Sequence, residues 1–173
     1  LRHEWITEPS AGSVEEFCDY YDDFALLKSL GLLNRQLAHA YREAGVLVFS
    51  RVWTPDNVLV SWRALYFSSK RVRGLWGPSL FRTSDDSSFR QLTGRATRYN
   101  HYCSMLCAKE MGVRLYDLGG WYAGDTDQAR LSINKFKEGF GAEILTEYNG
   151  ALPMTMRGRA YLIAKNLKQR IAR

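Results

Sequence analysis

The sequence predicts a mixed α/β fold, a central mixed sheet with helices on both faces, built as one domain over residues 1–173. Two observations carry this. Two helical stretches and then three strand-like stretches joined by tight turns fill the first half, and the second half alternates helix, strand, helix, strand. The 173 residues with 46% hydrophobic content are enough to bury one substantial core. Aromatics at 13% also set the chain apart from disordered sequences.

Taken in order, Leu1 to Gly12 reads as irregular. Ser13 is placed to cap a first helix, and Glu15 and Glu16 suit the dipole of its first turn. Phe17, Tyr20, Tyr21, Phe24 and Leu27 recur at helical spacing, with a break expected at Gly31. A second helix is predicted from Asn34 to Ala44, stopped by Gly45. Val46 to Trp53, Val58 to Phe67 and Val72 to Leu80 read as strands of an antiparallel meander. Thr54-Pro55-Asp56-Asn57 and Ser68-Ser69-Lys70 supply its turns. Beyond it come a long helix from Gly94 to Met111, a strand from Arg114 to Leu118 and a helix from Thr126 to Glu138. A strand from Ala142 to Tyr148 and a basic helix from Arg157 to Arg173 complete the chain.

Lys plus Arg number 24 against 18 for Asp plus Glu, a net charge of +6 with a pI near 9.3. Such a surplus suits a nucleotide cofactor, a nucleic acid or a membrane surface, and equally a solvated basic surface. The three cysteines, Cys18, Cys103 and Cys107, form no regular framework, which points to a reducing compartment, the cytoplasm. Cys103 and Cys107 share a helix face and read as small buried thiols; His39 and His101 are poor candidates to complete a metal site with them. No metal is expected. No apolar run approaches the ~20 residues of a membrane-spanning helix.

The most informative segment is Gln91-Leu92-Thr93-Gly94-Arg95-Ala96, expected to follow the meander and open the longest helix. A glycine turn there exposes backbone N–H groups, and the helix dipole favours a pyrophosphate. Arg90, Arg95 and Arg98 add formal charge nearby. A glycine at a helix start also reads as a plain cap.

In this position, Gln91-x-x-Gly94-x-Ala96 resembles the acyl-CoA signature of the GNAT superfamily of N-acyltransferases. The resemblance implies that the backbone amides of Gln91, Leu92, Thr93, Gly94, Arg95 and Ala96 hold the pyrophosphate of acetyl-CoA, the donor substrate, for transfer to a small-molecule or peptide amine. A second resemblance marks one branch. Tyr116-Asp117-Leu118-Gly119-Gly120 and the later Phe136-Lys137-Glu138-Gly139-Phe140-Gly141 are similar to paired motifs of the Fem-type aminoacyl transferases, the FemAB-like proteins. Those use aminoacyl-tRNA as donor and a peptidoglycan precursor as acceptor. The resemblance implies that Lys137, beside Phe136, stabilises charge in the transition state. The chain departs from that branch in having room for one such domain and no coiled-coil arm. It departs from many GNAT enzymes in having Lys135, Phe136 and Lys137 where a tyrosine acid is usual.

On the residues alone, Tyr116 and Leu118 read as strand core, and Asp117 is either a satisfied buried carboxylate or a base near the acceptor amine. Phe136 and Phe140, four apart, read as a packed pair, and Lys137 is turned away from them. Trp53, Trp62 and Trp76 belong to the meander, as packing residues or as a substrate lining. The mechanism expected is direct attack of an amine on a thioester, with backbone N–H groups of Leu75 to Ser79 as candidate donors to the oxyanion. Neither a Ser/His/Asp nor a Cys/His arrangement is evident. Two rival readings remain: an aminoacyl-tRNA-dependent transferase, favoured by the basic terminal helix, and a catalytically silent binding module.

Overall fold

A computed structural model describes residues 1–78, 80, 86–148 and 152–171, with side chains described as far as 164. The chain packs as two compact units, Leu1–Leu131 and Ser132–Arg173.

The first unit is built on a five-stranded sheet in the order β1-β2-β3-β4-β5. The strands are β1 (Arg2–Ile6), β2 (Leu47–Trp53), β3 (Leu59–Phe67), β4 (Arg71–Trp76) and β5 (Leu115–Asp117). The first four are antiparallel to their neighbours, and β5 lies parallel to β4, which makes the sheet mixed. The opening that reads as irregular is therefore a strand: Arg2 to Ile6 pair with Trp53 to Phe49. Its His, Glu and Arg residues hide a two-residue alternation, and the strand is made by its partner.

Helices α1 (Ala11–Leu27) and α2 (Arg35–Glu43) cover one face of the sheet. There Val14, Phe17, Cys18, Leu33 and Ala38 pack on Leu47, Phe49, Trp62 and Ala64. The first helix begins before the expected Ser13, because Ser10 is its cap and accepts the Ser13 N–H at 3.1 Å. Asn34 caps the second by accepting the Leu37 N–H at 3.0 Å, and Gly45, at φ +66°, turns the chain out of it as expected. Arg35 ties the two helices together through Glu15, Asp19 and Asp22 at 2.7, 2.8 and 2.9 Å.

Helix α3 (Ser87–Glu110) covers the opposite face. Ala108 packs with Val48, Leu65 and Val72, and Ala96 packs with Val52 and Val60. Between these apolar ends the contact is polar. Ser50 Oγ donates to Asn100 Oδ1 at 2.6 Å, and Asn100 Nδ2 donates to Ser61 Oγ at 3.0 Å and to the Ser50 carbonyl at 3.2 Å. Ser104 and His3 also meet Ser50 Oγ, each at 2.8 Å. Ser50, Ser61, Asn100 and Ser104 are all buried, and their polar atoms are answered within the network.

The alternation of the second half is formed in part. Helix α4 (Gln128–Glu138) follows β5, and α5 (Met156–Ile171) ends the described chain. The strand expected over Ala142–Tyr148 is absent: those residues are irregular and exposed, so the sheet stops at β5 among the described residues. Strand-like composition makes no strand without a ladder to join.

Candidate active site

The point where β4 and β5 part is the main irregularity of the sheet. Their parallel ladder holds three pairs, Arg71↔Leu115, Val72↔Tyr116 and Arg73↔Asp117. Beyond it β4 continues to Trp76 beside β3, through a bulge that leaves Leu75 without an opposite residue between Gly74↔Leu65 and Trp76↔Ala64. On the other side β5 turns away. The Gly119 N–H donates to Asp117 Oδ1 at 2.7 Å, and Gly119 sits at φ +85°, a conformation that favours glycine. The sheet therefore has a gap beside the C-terminal half of β4, where the β4–β5 ladder has ended and β4 runs on beside β3 alone.

Asp117 stands at the root of this gap. Its carboxylate faces Arg73 Nε at 3.4 Å and Arg71 Nε at 3.9 Å while accepting the Gly119 amide. Of the two readings open in the sequence, this is the geometry of the satisfied carboxylate. Tyr116 presents its hydroxyl to His101 Nδ1 at 3.2 Å. Burial raises the phenol above its ordinary pKa, opposed by the Arg63 guanidinium and a hydrogen bond with Ser104.

Arg63, in the middle of β3, reaches across β4. A Cβ on Gly74 would lie 3.0 Å from Arg63 Nη2, and one on Gly77 would lie 3.3 Å from Nη1. The two glycines leave the room that the guanidinium fills. On the α1 face, Arg51 stacks on Trp62 at 3.9 Å from the ring centroid. Its nearest carboxylates, Glu4 and Glu16, are each 4.0 Å away, and its Nε and Nη2 are covered without hydrogen-bond partners. Tyr20 and Trp76 pack around the same core, Trp76 against Tyr41.

The amide cradle expected at Gln91–Ala96 is not formed there. α3 starts at Ser87, about two turns before Gly94, because Asp86 caps it by accepting the Ser88 N–H at 2.9 Å. The N–H groups of residues 91–96 thus belong to the interior ladder of the helix, bonded to carbonyls four residues back. Thr93 and Ala96 are buried, Leu92 packs beside Val52 and Val60, and Gly94 is half-buried; Gln91 and Arg95 are exposed. The amino-terminal end of α3 is capped by the Asp86 carboxylate. Of the oxyanion segment, Leu75 is the bulge residue, and Ser79 lies outside the described residues.

Phe136 and Lys137 lie in the second unit, Asp117 in the first. Phe136 and Phe140 pack edge to face with centroids 5.2 Å apart, as their spacing predicts, and Lys137 is half-buried in the last turn of α4. Of the three thiols, Cys18 is buried, which pushes its pKa up to about 11, and Cys103 and Cys107 are half-buried and free. Among the described residues no group of three or more His, Cys, Asp or Glu side chains gathers as a metal would need, and no helix is long and apolar enough to cross a membrane.

Arg63 and Arg51 are what sequence reasoning missed. The available signal was a lone charge inside each apolar strand run, LVSWRALYF for Arg63 and LVFSRVW for Arg51.

Several solved structures share this fold. A protein named "probable acetyltransferase" superimposes with a TM-score of 0.57 at 14% identity, over 90% of this chain and 99% of that one. The ribosomal-protein-alanine N-acetyltransferase of Brucella melitensis biovar Abortus 2308 gives 0.52 at 10% identity, over 88% and 100%. A "possible acetyltransferase" from Clostridium difficile 630 gives 0.51 at 11% identity, over 90% and 99%. No protein-family model and no curated protein matches the sequence.

Proposed function

We propose that this chain, with the GNAT-type fold it shares with those acetyltransferases, is an N-acyltransferase working in the gap between β4 and β5. The observation that carries the reading is the parting of the strands after Arg73↔Asp117, with the Leu75 bulge on its β4 side. An acyl thioester laid along that edge meets main-chain groups in place of a strand. The donor proposed is acetyl-CoA and the acceptor an amine, in a cytoplasmic protein acting as one GNAT-like domain.

In the reaction the amine nitrogen attacks the thioester carbonyl carbon. The C–N bond forms, the oxygen takes up negative charge, and the C–S bond then breaks with loss of thiolate and of the amine proton. The chain must orient the two reactants and offer donors to the oxygen, which together supply most of the acceleration in such transfers. Backbone N–H groups at the Leu75 bulge are proposed for that oxygen. Asp117 is engaged by two arginines and an amide, so it acts by fixing the root of the gap. Lys137, beside Phe136, keeps the charge-stabilising role implied by its resemblance to the Fem-type branch, on sequence grounds alone.

A second donor, aminoacyl-tRNA, is favoured by one observation, the exposed Arg157 and Arg159 of α5. Calorimetry with acetyl-CoA and with uncharged tRNA, followed by mass spectrometry of amide formation from acetyl-CoA and glycylglycine, tests the reading. Acetyl-CoA is expected to bind and to yield N-acetylglycylglycine, and Lys137→Ala to lower turnover ~10²–10³-fold without altering melting. tRNA binding that falls steeply with salt, with no response to acetyl-CoA, moves the donor to tRNA. Binding of neither ends the acyltransferase reading.

A further inference from the structure

Arg63 is a charged residue in a strand otherwise made of Leu59, Val60, Ser61, Trp62, Ala64, Leu65, Tyr66 and Phe67. Its side chain crosses β4 over Gly74 and Gly77 and approaches Tyr116 on β5, so the guanidinium stands at the gap on the α3 side of the sheet. Its Nε is covered and has no hydrogen-bond partner. Six carboxylates of the unit pair with other arginines: Glu15, Asp19 and Asp22 with Arg35, Glu4 and Glu16 with Arg51, and Asp117 with Arg71 and Arg73. Among the described residues no carboxylate comes within ion-pair distance of Arg63. The titratable group that faces it is the Tyr116 phenol, which burial keeps in its neutral form.

Arg63 is half-buried, and a guanidinium partly withdrawn from water without an opposing charge costs stability unless something else answers it. Here the fold makes room for the charge, through two glycines, and among the described residues provides no anion. Its planar fork suits two oxygens of one oxyanion.

We infer that Arg63 is the anion-binding residue of the β4–β5 gap and takes a carboxylate or phosphoryl oxyanion of a bound substrate. This rests on reading the gap as the substrate site. The shared chemistry is the oxyanion, and its source is either the phosphates of the donor or a carboxylate on the acceptor.

The test uses the full chain and its Arg63→Met and Arg63→Lys variants, with coenzyme A and glycylglycine as separate probes in calorimetry and thermal melting. Without ligand, Arg63→Met is expected to melt no lower than the wild type, because a half-buried charge that no carboxylate among the described residues answers has been replaced by an apolar side chain. One of the two probes is expected to bind the wild type and raise its melting temperature. Its dissociation constant is expected to rise at least tenfold in Arg63→Met and less in Arg63→Lys, which keeps the charge and loses the fork. The probe that responds names the source. The inference is overturned if Arg63→Met melts below the wild type without ligand, if a probe binds wild type and Arg63→Met alike, or if neither probe binds the wild type. Because the readouts are melting and binding, an Arg63-dependent probe with no amide product separates failure of the acyl-transfer reading from failure of this one.

Discussion

Asn100 shows how much one side chain does in this protein. It lies fully inside, and its amide group answers Ser50 from β2 and Ser61 from β3 at once. An apolar helix face would seat α3 by area alone, with neighbouring registers close in energy. The bonds of Asn100 are made in one register only. Replacing it by alanine leaves the Ser50 carbonyl and the hydroxyls of Ser50, Ser61 and Ser104 with fewer partners and opens a small void. The expected loss for Asn100→Ala is about 2–3 kcal/mol, seen as a melting decrease of about 2–4 °C for each kcal/mol. An unchanged melting temperature would mean that the network does not hold α3.

At the scale of elements, the α1–α2 pair rests on a carboxylate cluster around Arg35. Glu15 is held below its ordinary value, chiefly by its hydrogen bond with His39 and then by Arg35. A lowered carboxylate contributes stability that is present above its unfolded value of 4.5 and lost as pH falls through the lower folded value. The melting difference between wild type and Glu15→Gln is therefore expected to be constant near neutrality and to close below pH 4.5. The site is exposed, so the difference is small. Sequence legibility also divides by element. Helices α1 and α2 and strands β2 to β4 announce themselves by apolar period and turn residues, and their observed bounds fall within a few residues of the expected ones. β1 is hidden because its stability comes from pairing with β2. Ala142–Tyr148 misleads because its composition is strand-like while those residues join no ladder. α3 begins early because Asp86 caps it at Ser87, a start that the apolar period does not register.

For the whole molecule, the sequence identified the fold through element order, and the superpositions agree with it. The site was less legible. Its root at Asp117 lay in a motif, whereas Arg63 acquires meaning only from glycines on β4 and a tyrosine on β5, which no local pattern joins. The second unit presents another property of the chain as a whole. Ile144 and Leu145 are each 62% exposed and Tyr148 is 94% exposed, in an irregular segment. Apolar side chains so placed contribute little to folding and favour association. Ile144→Glu combined with Leu145→Glu is expected to change stability by less than about 0.5 kcal/mol per site while raising solubility. A large fall in melting temperature would show that the segment is packed in solution.

The polar seam beneath α3 also bears on the order of events in folding. Ser50 and Ser61 can meet Asn100 only after β2 and β3 are paired, and His3 joins only after the amino-terminal strand has closed on β2. Bonds with such strict geometry form late, once the apolar ends of the helix have already docked. The seam then acts as a latch, weak in the transition state and complete in the native state. In stopped-flow measurements the loss in Asn100→Ala is expected to fall on the unfolding rate, with refolding nearly as fast as in the wild type. Residence in the native state, more than speed of arrival, is what the latch controls.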